Sequence, residues 1–141
     1  MNKNKAMPAG RQGFTLIELL IVIAIIGLLS GIVVISIKSV KTKSRDAQRV
    51  ANINSLATSL SMYNNDHNAY PIYDGYIIGS DALSIALKET GTMTAVPIDP
   101  LNIGDYRYYY QSIDGEDYYL QYYLETISIQ GKNQGLNYVV P

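Results

Sequence analysis

The sequence predicts an α+β fold in which one long N-terminal α-helix, apolar in a transmembrane first half and amphipathic in its second, packs against a small antiparallel β-sheet head. Three observations predict it. From Leu19 to Ile37 no charged residue occurs across 19 positions, about 28 Å of helix and enough to cross a bilayer's hydrocarbon core. Beyond it Val50, Ile53, Ala57, Leu60 and Asn64 recur at spacings of three and four, the period of a helix with one covered face. Further on, two tyrosine-rich runs, Tyr106 to Ile113 and Tyr118 to Ile127, flank Asp114-Gly115, a dipeptide that turns β-hairpins because glycine supplies positive φ without strain.

Residues 1–13 form a leader in which Lys3, Lys5 and Arg11 stand among Pro8, Gly10 and Gly13. In a secretory signal peptide an apolar core precedes a small-residue cleavage site. Here Gly13 precedes the apolar core, the reverse order. Residues 14–37 are the apolar half of the helix, expected to span a membrane. Glu18 stands just outside the uncharged run, where a carboxylate in lipid costs about 2.5–3.5 kcal/mol, so it needs a partner. Cleavage after Gly13 makes Phe14 a new N-terminus, with its ammonium one helical turn from Glu18. In an assembly that ammonium reaches the Glu18 of a neighbouring copy. Gly27 and Gly31 form a small-xxx-small pair that permits close helix contact, a pattern that ordinary glycine use in membrane helices explains equally well.

Residues 38–65 continue the helix. Lys38, Lys41, Lys43, Arg45, Asp46 and Arg49 make its start wet and basic, suited to lipid phosphates or to the acidic heads of neighbouring copies. The apolar stripe then seats the head. No proline occurs between Pro8 and Pro71, and a helix from Phe14 to about Asn65 is about 78 Å long, so its first half needs cover from lipid or other copies. The count of basic residues on the two sides of the apolar run does not decide orientation.

Residues 66–141 are the head. The polar cluster Asn64 to Asn68 ends the long helix, and Pro71 confirms the break. Ser80-Asp81 caps a short helix through about Glu89, with Leu83, Leu87 and Ala86 inward and Gly91 as terminator. Val96-Pro97-Ile98-Asp99-Pro100 is a rigid loop, since its two prolines exclude regular structure. The hairpin strands follow. Leu120, Tyr122 and Leu124 do not read as simple alternation, because Tyr119 and Tyr123 are aromatic too, so both faces look covered, one packed on the helix and the other partly exposed. The tail from Gly131 to Pro141 adds a short edge strand.

The stretch "GFTLIELLIVIAIIGLLSGIVV" resembles the processing signature and N-terminal helix of type IV pilins and type II secretion pseudopilins. A looser similarity runs through "RDAQRVANINSLATSLSMYNNDHNAYP" and "VPIDPLN". The resemblance implies that a prepilin peptidase cuts between Gly13 and Phe14 and methylates the Phe14 amine. It also implies that an inner-membrane assembly platform extracts the subunit, and that residues 14–37 become a filament core. Assembly then rests on Phe14, Glu18, Gly27 and Gly31, with self-association into a helical filament alongside minor pilins or pseudopilins. The implied location is single-pass in the cell membrane with a cytoplasmic leader, then an extracytoplasmic pilus or pseudopilus. Three roles share this layout: a secretion pseudopilus, a pilus for adhesion, motility or DNA uptake, and a monomeric anchored binding head. Major pseudopilins of this kind often hold calcium in the C-terminal sheet region, which brings calcium into view as the one cofactor; its ligands are not identified.

Composition narrows the rest. There is no cysteine, hence no disulfide staple and no thiol nucleophile, which favours the disulfide-free branch of the resemblance. His67 is the only histidine and reads as a solvated turn residue. No nucleophile elbow or phosphate loop is present, so no catalytic residue is assigned and the chain is not read as an enzyme. Asp99, Asp105, Asp114, Glu116 and Asp117 could offer oxygen to calcium, but without EF-hand spacing. All thirteen tyrosines follow Met62, and their β-propensity and amphipathic character account for them, with subunit contact or adhesion as the alternative. From Asp66 onward ten acidic residues face three basic ones, a balance that repels phosphate and argues against nucleic acid binding by the isolated head.

Overall fold

The computed structural model describes residues 13–141, with the backbone alone at residues 32–36. The leader positions Lys3, Lys5, Pro8, Gly10 and Arg11 lie outside the described residues. The elements are α1 (Leu16–His67), β1 (Tyr73–Tyr76), α2 (Ala82–Glu89), β2 (Tyr109–Ser112), β3 (Tyr119–Leu124) and β4 (Gly135–Val139). The chain divides into two compact units, Met1–Lys38 and Ser39–Pro141.

In the first unit, α1 exposes its apolar side chains: Leu16 is 82% and Leu28 71% accessible, and the other large apolar residues up to Leu29 are exposed as well. Among the described residues no helix is long and apolar enough to cross a membrane. This overturns the transmembrane half of the expected fold and the single-pass membrane location drawn from it. Glu18 and Ser30 bound the run of consecutive apolar residues at Leu19–Leu29, against the roughly 20 that a bilayer core requires.

In the second unit, the rest of α1 packs against a four-stranded sheet of order β1-β2-β3-β4, antiparallel throughout. Ile53, Leu56 and Leu60 enter one core with Leu83 and Leu87 of α2 and with Tyr110, Leu120, Tyr122 and Leu124 of the sheet. The helix ends where Asn68 takes a φ of 53°, a left-handed conformation that asparagine tolerates. Its N–H donates to the Asn64 carbonyl at 2.7 Å.

The β3 side chains alternate cleanly, with Leu120, Tyr122 and Leu124 buried and Tyr119, Gln121 and Tyr123 half-buried. The expectation of no simple alternation therefore fails, while one face is packed and the other partly exposed. Tyrosine reads as apolar in a hydropathy pattern, yet here it serves both faces, keeping its hydroxyl in water on the outer one. The hairpin strands are shorter than expected because Tyr106 belongs to a tight loop, paired with Ile103 in an isolated bridge. Strand β1 was absent from the sequence reading. It pairs with β2 through Tyr73↔Ser112 to Tyr76↔Tyr109. The tail forms β4 at the edge, in register from Leu120↔Val139 to Leu124↔Gly135.

Gly115 anchors the hairpin turn. Its φ is 81°, and its carbonyl accepts the Tyr70 N–H at 2.8 Å. A Cβ there would meet the Tyr70 carbonyl oxygen at 3.1 Å, so both backbone shape and close approach call for glycine.

Asp81 caps α2 as the sequence predicts. Its carboxylate accepts the N–H of Ser84 at 2.9 Å, the Ser84 hydroxyl at 2.7 Å and the N–H groups of Ile78 and Gly79 at 2.8 and 3.0 Å. Burial pushes this carboxyl up, and the hydrogen bonds led by Ser84 outweigh it, leaving the pKa lowered. Asp81→Ala should therefore cost about 1–2 kcal/mol in urea unfolding at neutral pH. A carboxyl depressed in the folded state contributes fully above its unfolded value and loses that contribution as pH falls through the folded one. The deficit should thus close in acid.

Candidate functional site

Helix α1 begins with a reciprocal cap. The Thr15 N–H and hydroxyl both donate to Oε2 of Glu18, at 2.8 and 2.7 Å, and the Glu18 N–H donates back to the Thr15 hydroxyl at 3.3 Å. This is the capping-box arrangement, in which two backbone donors are satisfied reciprocally, the Thr15 N–H by the Glu18 carboxylate and the Glu18 N–H by the Thr15 hydroxyl. The backbone and then the hydroxyl of Thr15 hold the Glu18 carboxyl below its ordinary value. The sequence reading left Glu18 without a partner inside its own chain. The pattern Thr15-x-x-Glu18 was the signal that names one. Both Thr15 bonds fall on Oε2, and among the described residues none is made to Oε1.

Phe14 is 89% accessible, immediately before this cap. Further along, Gly27 and Gly31 lie one turn apart, and a Cβ at either would meet nothing within 4 Å. The Ser30 hydroxyl between them donates to the Ile26 carbonyl at 2.7 Å, so it presents little unmet polarity. The structure brings Thr15 and Glu18 together, and leaves Phe14, Gly27 and Gly31 on open surface.

A second constellation was missed by the sequence reading, which placed Asp46 and Arg49 in a wet basic stretch. Both are buried. Asp99 takes the Arg49 fork at 2.6 Å from Nε and 3.1 Å from Nη2, while Nη1 reaches Asp46 at 2.9 Å and Glu125 at 2.6 Å. The guanidinium also lies 4.8 Å from the Tyr106 ring centroid. Arg45 shares Glu125 with Arg49, its Nε at 2.7 Å from the same Oε1 and its Nη2 at 2.5 Å from Oε2. Asp46 in turn accepts the N–H groups of Glu125 and Thr126 at 2.9 and 2.8 Å and the Thr126 hydroxyl at 2.7 Å. Burial alone would lower the Arg49 pKa, but its bonds to Asp99 and Glu125 outweigh this and raise it.

This cluster ties α1 to the proline loop and to the end of β3 in a chain without cysteine. It also answers part of the calcium question. Asp99 is committed to Arg49 and to the N–H of Leu101 at 2.8 Å, and Asp114 accepts the Glu116 N–H at 3.1 Å within its turn. Among the described residues no group of three or more His, Cys, Asp or Glu side chains is placed to hold a metal ion. His67 is exposed and stacks on Tyr63 with centroids 4.1 Å apart.

The family model of the prokaryotic N-terminal methylation motif matches residues 8–34. The type II secretion system core protein G of Pectobacterium carotovorum is 41% identical over 61 residues, covering 43% of this chain and 39% of that protein. The core protein G of Vibrio cholerae is 33% identical over 106 residues, 70% of either chain. The type IV wide pilus major component PilA4 of Thermus thermophilus is 35% identical over 79 residues, 56% of either chain. The chain spans less than half the length of the Pectobacterium and Aeromonas hydrophila core proteins. No solved structure matches. A capped apolar helix with this motif, joined to a small sheet head and similar over 70% of its length to a core protein G, places the chain in the type IV pilin and type II secretion pseudopilin family.

Proposed function

We propose that the chain is a structural subunit of a pseudopilus-like filament, polymerised through its N-terminal helix after the leader is cut between Gly13 and Phe14. The observation that carries this is the row of exposed Leu, Ile and Val side chains from Leu16 to Leu29, which nothing among the described residues covers. Burying one such side chain fully is worth about 1.5–3 kcal/mol, and stacked copies of the helix would bury many. Gly27 and Gly31 supply the points of closest approach. In this reading residues 1–13 are the leader, 14–37 the filament core, 38–65 the amphipathic continuation and 66–141 the head. Its partners are a prepilin peptidase, an assembly platform and other pseudopilins. The names of the Pectobacterium and Vibrio relatives support the secretion form; the Thermus relative supports a pilus as the second reading.

Glu18 sets register by receiving the methylated amine of a neighbour's Phe14 on the Oε1 that Thr15 leaves open. Co-expression with a prepilin peptidase should yield a mature chain beginning at N-methylated Phe14, read by intact mass. Only uncleaved chain, starting at Met1, would overturn the processing. Glu18→Ala should cut filament yield at least tenfold while the head stays folded. Glu18→Gln separates the two roles of the side chain, because it keeps an acceptor for Thr15 and loses the charge. It should assemble as poorly as Glu18→Ala. Normal filaments from Glu18→Gln would reduce Glu18 to a helix cap.

A further inference from the structure

The outer face of the sheet carries an ordered polar and aromatic surface that neither the core nor the proposed assembly uses. The strand registers align Tyr76 with Tyr109, Tyr109 with Gln121 and Gln121 with Tyr138. One row of side chains thus crosses all four strands, with neighbours about 4.8 Å apart along the hydrogen-bonding direction. A second row aligns Asp74, Gln111 and Tyr119. Their side chains fix one another. Tyr76 and Tyr109 meet edge to face at 5.3 Å, and Tyr119 and Tyr138 stack at 5.1 Å. Asp74 accepts from the Tyr109 hydroxyl and, at 3.2 Å, from the Gln111 amide. Arg107 lies 4.0 Å from the Tyr76 ring centroid. Beside them, over Tyr76, Arg107, Tyr109, Gln111, Gln121 and Tyr123, runs a groove of about 550 Å³.

We propose that this groove binds a neutral oligosaccharide. Tyrosine rings offer flat apolar area at low entropic cost, which suits the C–H faces of pyranose rings. Gln111 and Gln121 each present a donor and an acceptor on one side chain, the pairing that a vicinal diol satisfies. Charge excludes the main competitors. Asp105 stands against Arg107 in the groove lining, with Asp74 held beside it on Tyr109 and Gln111, in a head with ten acidic residues and three basic ones from Asp66 onward, so a polyanion is repelled. Leu136 is the one aliphatic side chain among the groove residues named by the structure, too little to anchor an apolar peptide.

The test is titration of the full chain, kept in a sugar-free zwitterionic detergent, with cellohexaose and with chitohexaose, read by calorimetry and by tyrosine NMR shifts. At least one should bind with a Kd near or below about 1 mM. Gln121→Ala and Tyr76→Ala should each weaken it at least tenfold with an unchanged melting curve, whereas Ile127→Ala, which does not line the groove, should leave it unchanged. Absence of binding by both sugars overturns the proposal. So does binding that the face variants do not alter, or binding of polygalacturonate or an apolar peptide in place of the neutral sugars. Loss of filaments rather than of sugar binding in the face variants would assign the surface to contacts between copies. The proposal does not depend on polymerisation, so its failure leaves the filament reading untouched.

Discussion

Arg49→Ala should destabilise the head by about 3–5 kcal/mol, because it strands carboxylates that its guanidinium now neutralises in a buried site. Arg49 and both Asp partners have fully buried side chains, and the Glu125 side chain is 13% accessible. Removing the cation leaves Arg45 to serve Glu125 and nothing comparable for Asp99. For a domain of this size the loss is roughly 15–30 °C in Tm, at about 4–8 °C per kcal/mol. Arg49→Lys should recover only part of it, since an ammonium cannot fork across both Asp99 oxygens while reaching Asp46 and Glu125. Replacing Arg49, Asp46, Asp99 and Glu125 together with uncharged residues should cost less than Arg49→Ala alone. The bonds from Arg45 hold the Glu125 carboxyl below its ordinary value, against an opposing push from burial and with further help from Arg49. Its contribution is therefore present above the unfolded value of about 4.3 and lost as pH falls through the folded value. Urea unfolding at neutral and acid pH checks both points, and a variant within about 1 kcal/mol of the parent at neutral pH would show that the cluster stabilises little.

Leu56→Ala should cost about 2–5 kcal/mol by the lost transfer energy and the cavity left behind. Leu56 is fully buried at the centre of the stripe that α1 turns toward the sheet. A domain holds only about 5–15 kcal/mol in total, so this one truncation consumes a large share. Ile127→Ala, 78% accessible, should stay within about 0.5 kcal/mol of the parent. Equilibrium unfolding of the two variants decides it. Equal midpoints would mean that α1 is not held to the sheet through this stripe.

Element α2 is legible in the sequence because its cap, buried face and terminator are all local: Asp81, Leu83 with Leu87, and Gly91. The tail strand and the Asp114-Gly115 turn are legible for the same reason. Strand β1 is not, because Asp74-Gly75 carries low β-propensity and the strand exists through its pairing with Tyr109 to Ser112. The charge cluster hides differently. Asp46, Arg49, Ile53, Leu56 and Leu60 are all buried and continue one spacing of three and four, yet a reading that sorts residues by hydropathy assigns the first two to solvent. Only partners distant in sequence, Asp99 and Glu125, make their burial affordable. At the N-terminus Gly13, Phe14 and Glu18 stand out by their order around the apolar run, while the Thr15 cap is masked because Glu18 beside apolar sequence reads as a charge in need of a partner from another copy.

The partners of Arg49 come from its own helix, from the proline loop and from the end of β3, and this bears on where α1 docks. A misdocked α1, slipped by one turn or about 5.4 Å, would still lay leucine and isoleucine on the sheet, because those residues repeat with the helical period. It would also press an unmatched guanidinium into hydrocarbon, at a cost of several kcal/mol. Such an arrangement lies higher in energy than the native one, in which the guanidinium meets Asp46, Asp99 and Glu125. The ion cluster thus selects the docking of helix onto sheet, converting a repetitive greasy surface into one with a single favoured register.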